Sequence, residues 1–519
     1  MSTALLSAGA AASSIRPDAA LPMVGFVRRQ TPATGEGLPL EATALLLESD
    51  GTRVLLCGVD TIGIPVDEVD ELRRRIGAAI SADPAGVLLN WNHTHSAPPP
   101  GRTMLLRSGL LETTGDAEVE AYGERLRERL VELAVRAADA LEPADVTWGH
   151  GRADISVNRR ERDRHGQIVH GWRTDGLVDQ QVTTLQAQRP DGSPIATVVS
   201  FGCHPVAGGM DLPVYSSDFP GALRIAMRRR FGGECVFLQG AAGNVLPRVS
   251  FGPDESEAKL MGERLALEAA HSIADRPARP TRWVVAGDAS LIPMILFRRE
   301  QLESGDPSLA AVEQRVTFPL NPAPSLREAV DMAEMYEAQR AESHARGAGA
   351  AELHGIGYHA KWARALADAL AVGPVPGHID APLHAVRIGD GLLLSTPGEL
   401  FTELGWAIKE RAPGLPTVAL GYTNGAVGYF PTEEAYGEGG YEPAYSNRSY
   451  GTPATVAPEC AQMLVETAVR LGERLFPERD PFAGDDWTPS STLPELPPVV
   501  HRRPPTDQYQ APPVAAPPG

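Results

Sequence analysis

Two imidazoles one residue apart close an apolar run in Asn90-Trp91-Asn92-His93-Thr94-His95-Ser96-Ala97-Pro98. Neutral imidazole can ligate a transition metal or move a proton near neutral pH, so the pair is a candidate for either task. If Val87 to Trp91 is a strand that continues through the pair, alternation turns His93 and His95 to the same face. A turn decorated with polar residues is the competing explanation.

The elements that would position such groups can be read from periodicity. Three hairpins are expected: Ala42 to Glu48 with Arg53 to Val59, Val182 to Gln188 with Ile195 to Phe201, and Leu383 to Ile388 with Leu392 to Ser395. The second runs into Cys203-His204-Pro205 and the third into Thr396-Pro397-Gly398-Glu399, so strand ends repeatedly deliver a possible metal ligand. Before the strand leading to His93, a helix is expected over Val66 to Ile80. Further amphipathic helices are expected over Ala117 to Ala140, Pro220 to Phe231, Glu255 to Ala274, Glu399 to Arg411 and Pro458 to Phe476. The class is α/β, with mixed, hairpin-rich sheets flanked by helices. Ser325 to Val372 reads as an insertion of two helices joined near Gly347 to Gly357. Residues 1–17 read as a flexible N-terminus, 18–479 as the catalytic domain, and 480–519 as a disordered Pro-rich tail.

Composition narrows the function. The 519-residue chain carries a formal charge of −19, which argues against nucleic acid or an anionic membrane as a general partner. No apolar run approaches the roughly 18 residues of a transmembrane segment. The N-terminus lacks a basic stretch before a long apolar core, which reads as cytoplasmic. Cys57, Cys203, Cys235 and Cys460 are few, widely spaced and free of CxxC pairs, as buried thiols would be. The oligomeric state is not legible.

NHTHSAP, FGCHPV, SSDFPG, STPGELF and GYFPTEEAYGEGGYE occur in an order and spacing that closely resemble the motifs of neutral ceramidases, non-lysosomal zinc amidases. The resemblance spans residues from about Asp18 to about Phe476. It implies that His93, His204, Glu399 and Tyr429 hold one Zn2+. Imidazole and carboxylate are ordinary zinc ligands, and an open position suits catalysis, whereas a phenol ligand rests on the resemblance alone. It further implies that His95 shuttles protons and that Arg159 and Tyr441 hold the developing oxyanion. Arg159 stands in the charged run NRRERDRHG, for which a solvated loop is the ordinary reading.

Departures from the family pattern matter equally. Where the family has Gly-Asp-x-Ser-Pro, this chain has GAAGNVLPR, with Asn244 in place of Asp and Leu246 in place of Ser. Leucine offers no nucleophile, which favours attack by a metal-activated water over an acyl-serine. The family's secreted members add a signal and a C-terminal sandwich domain, and neither is expected here. The expected function is therefore zinc-dependent hydrolysis of an N-acyl bond in a linear, small-molecule amide, lipid-like in character but smaller or more polar than ceramide. The alternative is a zinc-binding relative that is inactive or non-hydrolytic: a Lewis-acid lyase or isomerase, or a ligand-binding protein. An amidohydrolase barrel also places HxH after a strand, but the hairpins argue against it.

Overall fold

The computed structural model describes residues 6–29, 31–101, 103–104, 116–274, 281–289, 294–301, 307–414 and 416–477. The Pro-rich segment expected over 480–519 lies outside them.

The first sheet has five strands, β1 (Ser7–Ser14), β2 (Glu41–Ser49), β3 (Thr52–Val59), β4 (Val87–Trp91) and β5 (Glu142–Pro143), in the order β4-β3-β2-β1-β5. The hairpin β2–β3 turns through Asp50 and Gly51, both at positive φ, as a two-residue hairpin loop requires. The second sheet is β11-β10-β9-β6, from β6 (Asp145–Arg152), β9 (Gln181–Gln188), β10 (Pro194–Phe201) and β11 (Glu234–Gln239). A third combines β7 (Ser156–Arg162), β8 (Ile168–Arg173) and β12 (Val245–Pro247). The strands β13 (Thr281–Ala289) and β14 (Met294–Gln301) form an antiparallel pair that periodicity does not announce. The last four-stranded sheet is β15-β16-β17-β19, from β15 (Leu309–Pro319), β16 (His378–Ile388), β17 (Gly391–Ser395) and β19 (Thr417–Leu420). Finally, β18 (Glu399–Leu400) and β20 (Tyr429–Phe430) form a two-residue parallel pair.

The strands β2, β3 and β4 are apolar at consecutive positions because both faces of the sheet are covered there. Leu46, Leu55 and Cys57 pack against α1 (Val66–Ile80) and α2 (Asp116–Asp139). Leu45, Leu47, Val54 and Leu56 pack against Leu185 and Val198 of the second sheet and Val386 and Leu393 of the last. The outer faces of those sheets are covered in turn. Phe219 and Leu223 of α3 (Asp218–Phe231) and Leu265 of α4 (Ser256–Ala274) lie on Phe201 and Phe237. Leu404 and Ile408 of α7 (Thr402–Arg411) and Leu464 and Leu471 of α11 (Cys460–Arg474) lie on Leu392 and Leu394. The layers thus run helix, sheet, sheet, helix, the flanked mixed-sheet α/β class expected. The insertion is α5 (Leu326–Ala345) and α6 (Ala350–Val372), two helices as expected. Short helices α8 (Glu433–Glu438), α9 (Tyr441–Ala444) and α10 (Asn447–Tyr450) lie between β20 and α11.

Several expectations need correction. Residues 7–14 are not a flexible end: they form β1, paired with β2 along its whole length. The joint of the insertion is shorter than expected: its second helix begins at Ala350, inside the expected Gly347 to Gly357 stretch, and runs through Gly355 and Gly357. Glu399 does not start a helix, which begins at Thr402, but pairs with Tyr429 in the small parallel ladder. All four cysteines are buried free thiols, as expected. Among the described residues no helix is long and apolar enough to cross a membrane.

Candidate metal centre

The strand β4 ends at Trp91, so alternation along a strand does not align the histidine pair. His93 instead adopts φ +70°, a left-handed conformation that costs a side-chain-bearing residue on the order of 1–2 kcal/mol. Backbone bonds over-determine it: Asn92 N donates to Val59 O and His93 N to Thr61 O, both at 3.0 Å. The second histidine loop follows β10. Gln239 at the end of β11 ties the two loops together, donating at 2.8 Å to both Asn92 O and Cys203 O, the carbonyls just before His93 and His204.

Tautomer follows from these surroundings. His93 Nδ1 is 2.7 Å from Ile62 O, and His204 Nδ1 is 2.7 Å from Ala242 O. A carbonyl only accepts, so each Nδ1 carries a proton, and in the neutral ring that leaves the Nε2 lone pair free for a metal. Both lone pairs face one oxygen: Glu399 Oε2 lies 3.5 Å from His93 Nε2 and 3.1 Å from His204 Nε2. Donors of a tetrahedral zinc site, each about 2.0–2.1 Å from the ion, stand about 3.3 Å apart, between those two values. The other Glu399 contacts come from Tyr422 OH, 3.1 Å from Oε2, and from Tyr450 OH on Oε1.

Electrostatics suits a cation. Burial lowers the pKa of His93 to about 4, against the pull of Glu399 and with His204 and Arg159 adding to the shift, so it is neutral as a ligand must be. Burial alone would raise Glu399, but positive charge at this point, whether on His93 and His204 in their protonated forms or on the fixed Arg159 guanidinium, holds its carboxyl well below the usual range. Tyr429 stands beside Glu399 in the β18–β20 register, and burial, then Glu399, push its phenol well above 10.

His95 completes the group: one ring nitrogen from each of His93, His95 and His204 lies within 4.8 Å of the others, an arrangement that could hold a metal ion. Among the described residues neither ring nitrogen of His95, both buried, has a hydrogen-bond partner, so both are free to meet a ligand or water. Its place is fixed by Gly25, whose missing side chain leaves room for the ring: a Cβ there would come within 2.4 Å of His95 Cγ. Arg29 clamps the same loop from below, with Nη1 2.6 Å from His95 O.

Arg159 is not in a solvated loop. It lies on β7 at 3% exposure, where the β7–β8 register shifts between Asn158 and Arg160. That bulge lets two consecutive arginines reach one carboxylate: Glu442 receives Arg159 Nε at 2.8 Å and Arg160 Nη1 at 2.6 Å. The rest of the Arg159 guanidinium faces the histidines, with Nη2 3.0 Å from Tyr429 OH and Nη1 3.4 Å from His204 Nε2. Tyr441 packs its ring edge-on to Tyr429, centroids 5.6 Å apart. His95, Arg159, His204, Tyr429 and Tyr441 line a cavity of about 820 Å³, whose far wall includes Tyr336, Tyr358 and His359 of the insertion.

All seven expected site residues therefore gather in one region, four of them around the shared Glu399 oxygen or next to it. Sequence reasoning missed Tyr422, Tyr450 and Glu442, which hold Glu399 and Arg159. Glu442 stood inside a quoted motif, directly after Tyr441, and a buried partner for Arg159 was the available hint. Asn244 and Leu246 have separate jobs. Asn244 caps α7, accepting from Thr402 N at 2.9 Å and donating to Glu403 at 2.7 Å. Leu246 packs on Val157 and Val206 and forms apolar cavity wall.

No protein-family model matches the chain, and no curated protein matches it in sequence. Solved structures match in fold. The neutral ceramidase from Pseudomonas aeruginosa aligns over 91% of this chain and 75% of its own, with a TM-score of 0.63 at 20% identity. A ceramidase complexed with C2 aligns over 91% and 76%, with a TM-score of 0.62 at 19% identity. The fold is thus ceramidase-like across nearly the whole chain.

Proposed function

We propose that this ceramidase-like fold serves a zinc-dependent hydrolase of N-acyl bonds in linear amides, acting in the cytoplasm. The observation that carries the reading is the convergence of two Nε2 lone pairs and one carboxylate oxygen beside the unpartnered His95 ring, at the base of a largely apolar cavity. His93, His204 and Glu399, with Tyr429 alongside, would hold the ion. A bound Zn2+ supplies a Lewis acid that polarises a carbonyl and makes water acidic near neutral pH.

The chain's own groups do the rest. His95 takes a proton from water as its oxygen bonds to the amide carbon. Arg159, oriented by Glu442, and the Tyr441 phenol donate to the carbonyl oxygen as it gains negative charge. His95 then returns the proton to the amide nitrogen, the C–N bond breaks, and a carboxylic acid and an amine leave. The nearest GAAGNVLPR side chains, a helix-capping Asn244 and an apolar Leu246, offer no nucleophile, which fits attack by water.

The cavity suits an acyl chain along Phe26, Val206, Leu246 and Phe251, with the insertion over its far end. Turnover of short N-acyl amines, N-acyl amino acids and ceramides, followed by release of free amine, tests the reading. Activity on the smaller amides is expected. A zinc-loaded protein that cleaves none of them supports the alternative of a non-hydrolytic zinc-binding relative.

A further inference from the structure

The insertion is fastened to the site by more than the cavity wall. Residues 448–452, the end of α10 and the turn after it, make four polar contacts with α5 and α6. Arg448 Nη1 donates to Tyr336 OH at 3.0 Å and lies 2.8 Å from His359 Nδ1. Tyr358 OH donates to Ser449 Oγ at 2.9 Å, and Trp362 Nε1 donates to Thr452 O at 3.2 Å. From the same turn, adjacent residues reach inward. Tyr450 OH donates to Glu399, and Ser449 Oγ lies 3.2 Å from Tyr441 OH. Ser449 is therefore the junction between a buried tyrosine of the insertion and a phenol of the reaction cavity.

A hydroxyl has one proton to give. Ser449 already accepts from Tyr358, whose own proton is secure because burial raises its phenol to about 12. Either hydroxyl of the Ser449–Tyr441 pair can donate; when Ser449 gives its proton to the Tyr441 oxygen, Tyr441 keeps its own proton for a third partner. Each donated hydrogen bond also polarises the next O–H in such a chain. We propose that the insertion belongs to the catalytic apparatus: Tyr358, through Ser449, directs the phenol proton of Tyr441 toward the reacting oxygen. Tyr358 and Ser449 are positioning residues, and the task they serve at Tyr441 rests on the hydrolase reading above.

Tyr358→Phe removes one oxygen and leaves the ring packed, and Ser449→Ala removes the junction. Each should lower kcat about fivefold and leave KM within about twofold. In a Tyr441→Phe background neither should lower kcat further, because the proton they orient is gone. Losses that multiply in that background, or no loss in the wild-type background, overturn the relay. Calorimetric titration of the same proteins with octanoate, which offers an oxygen anion but no scissile bond, gives a second readout. Its affinity should fall by a similar factor on Tyr358→Phe with Tyr441 present and stay unchanged with Tyr441→Phe. If no amide is turned over, the hydrolase reading fails and octanoate alone decides the relay. Octanoate that binds none of the proteins, or all of them equally, overturns it.

Discussion

Arg159 gives its Nε to Glu442 across 2.8 Å in a pair almost wholly shielded from water. Glu442 also pairs with Arg160, so Glu442→Gln keeps the shape of the site, leaves buried Arg159 without its paired carboxylate and leaves Arg160 with only Glu438, 3.4 Å away. Breaking a buried pair in this way costs about 3–5 kcal/mol. Urea denaturation should register a loss of that size, and kcat should fall more than KM rises, because the Arg159 guanidinium loses its anchor. Unchanged stability would contradict the assignment.

Gly25 has φ +103° and faces the His95 ring. Gly25→Ala should displace that ring while leaving His93, His204 and Glu399 in place. A displacement near 1 Å at a reacting group can cost about a hundredfold in rate. The expected outcome is a loss of turnover of that order with metal content retained, measured by kinetics alongside elemental analysis.

Leu246→Ala tests whether this position is wall or chemistry. Leu246 is buried and packs on Val157 and Val206. Truncation should cost about 2–5 kcal/mol of stability. On the hydrolase reading it should raise KM for longer acyl chains and leave kcat within about threefold, since a pocket contact contributes about 1–3 kcal/mol of binding and no bond-making group is removed. A large fall in kcat at unchanged KM would argue that the position takes part in the reaction.

His384 supplies a pH dependence away from the site. Burial lowers its pKa from 6.5 to about 4, although its hydrogen bond to Glu313 favours the proton; the nearby Arg73 charge disfavours it. The folded chain thus refuses a proton that the unfolded chain accepts below about pH 6.5. This contribution to stability is complete above pH 6.5 and is lost as pH falls toward 4. Denaturation midpoints should drop across that window, and His384→Asn should flatten the slope. A midpoint as steep in the variant as in the parent would assign the dependence elsewhere.

Much of this architecture was legible because the hairpins and helices carry clear periods of two and 3.6, and the donors that close the candidate centre lie at strand ends. What escaped the sequence did so for physical reasons. The β1 segment SAGAAASS has little strand propensity, yet its small residues are needed: a Cβ on Gly9 would come within 2.1 Å of Ala137 O in α2. Close packing outweighs propensity there. The charges of NRRERDRHG suggested solvent, but two of its arginines are buried because Glu442, distant in sequence, supplies the counter-charge. The alignment of His93 depends on a left-handed turn that no strand pattern encodes, and Tyr422 and Tyr450 act as partners of Glu399 only once the chain has closed.

The central claim is that His93, His204 and Glu399 bind one catalytic divalent cation. The most direct measurement is metal content by elemental analysis, together with amide hydrolysis, for the purified protein and for His93→Ala, His204→Ala and His95→Ala. The expected result is about one zinc per chain, lost with activity in the first two variants and retained without turnover in the third. A metal-free protein with full activity, or His93→Ala and His204→Ala variants that keep both ion and turnover, would contradict it.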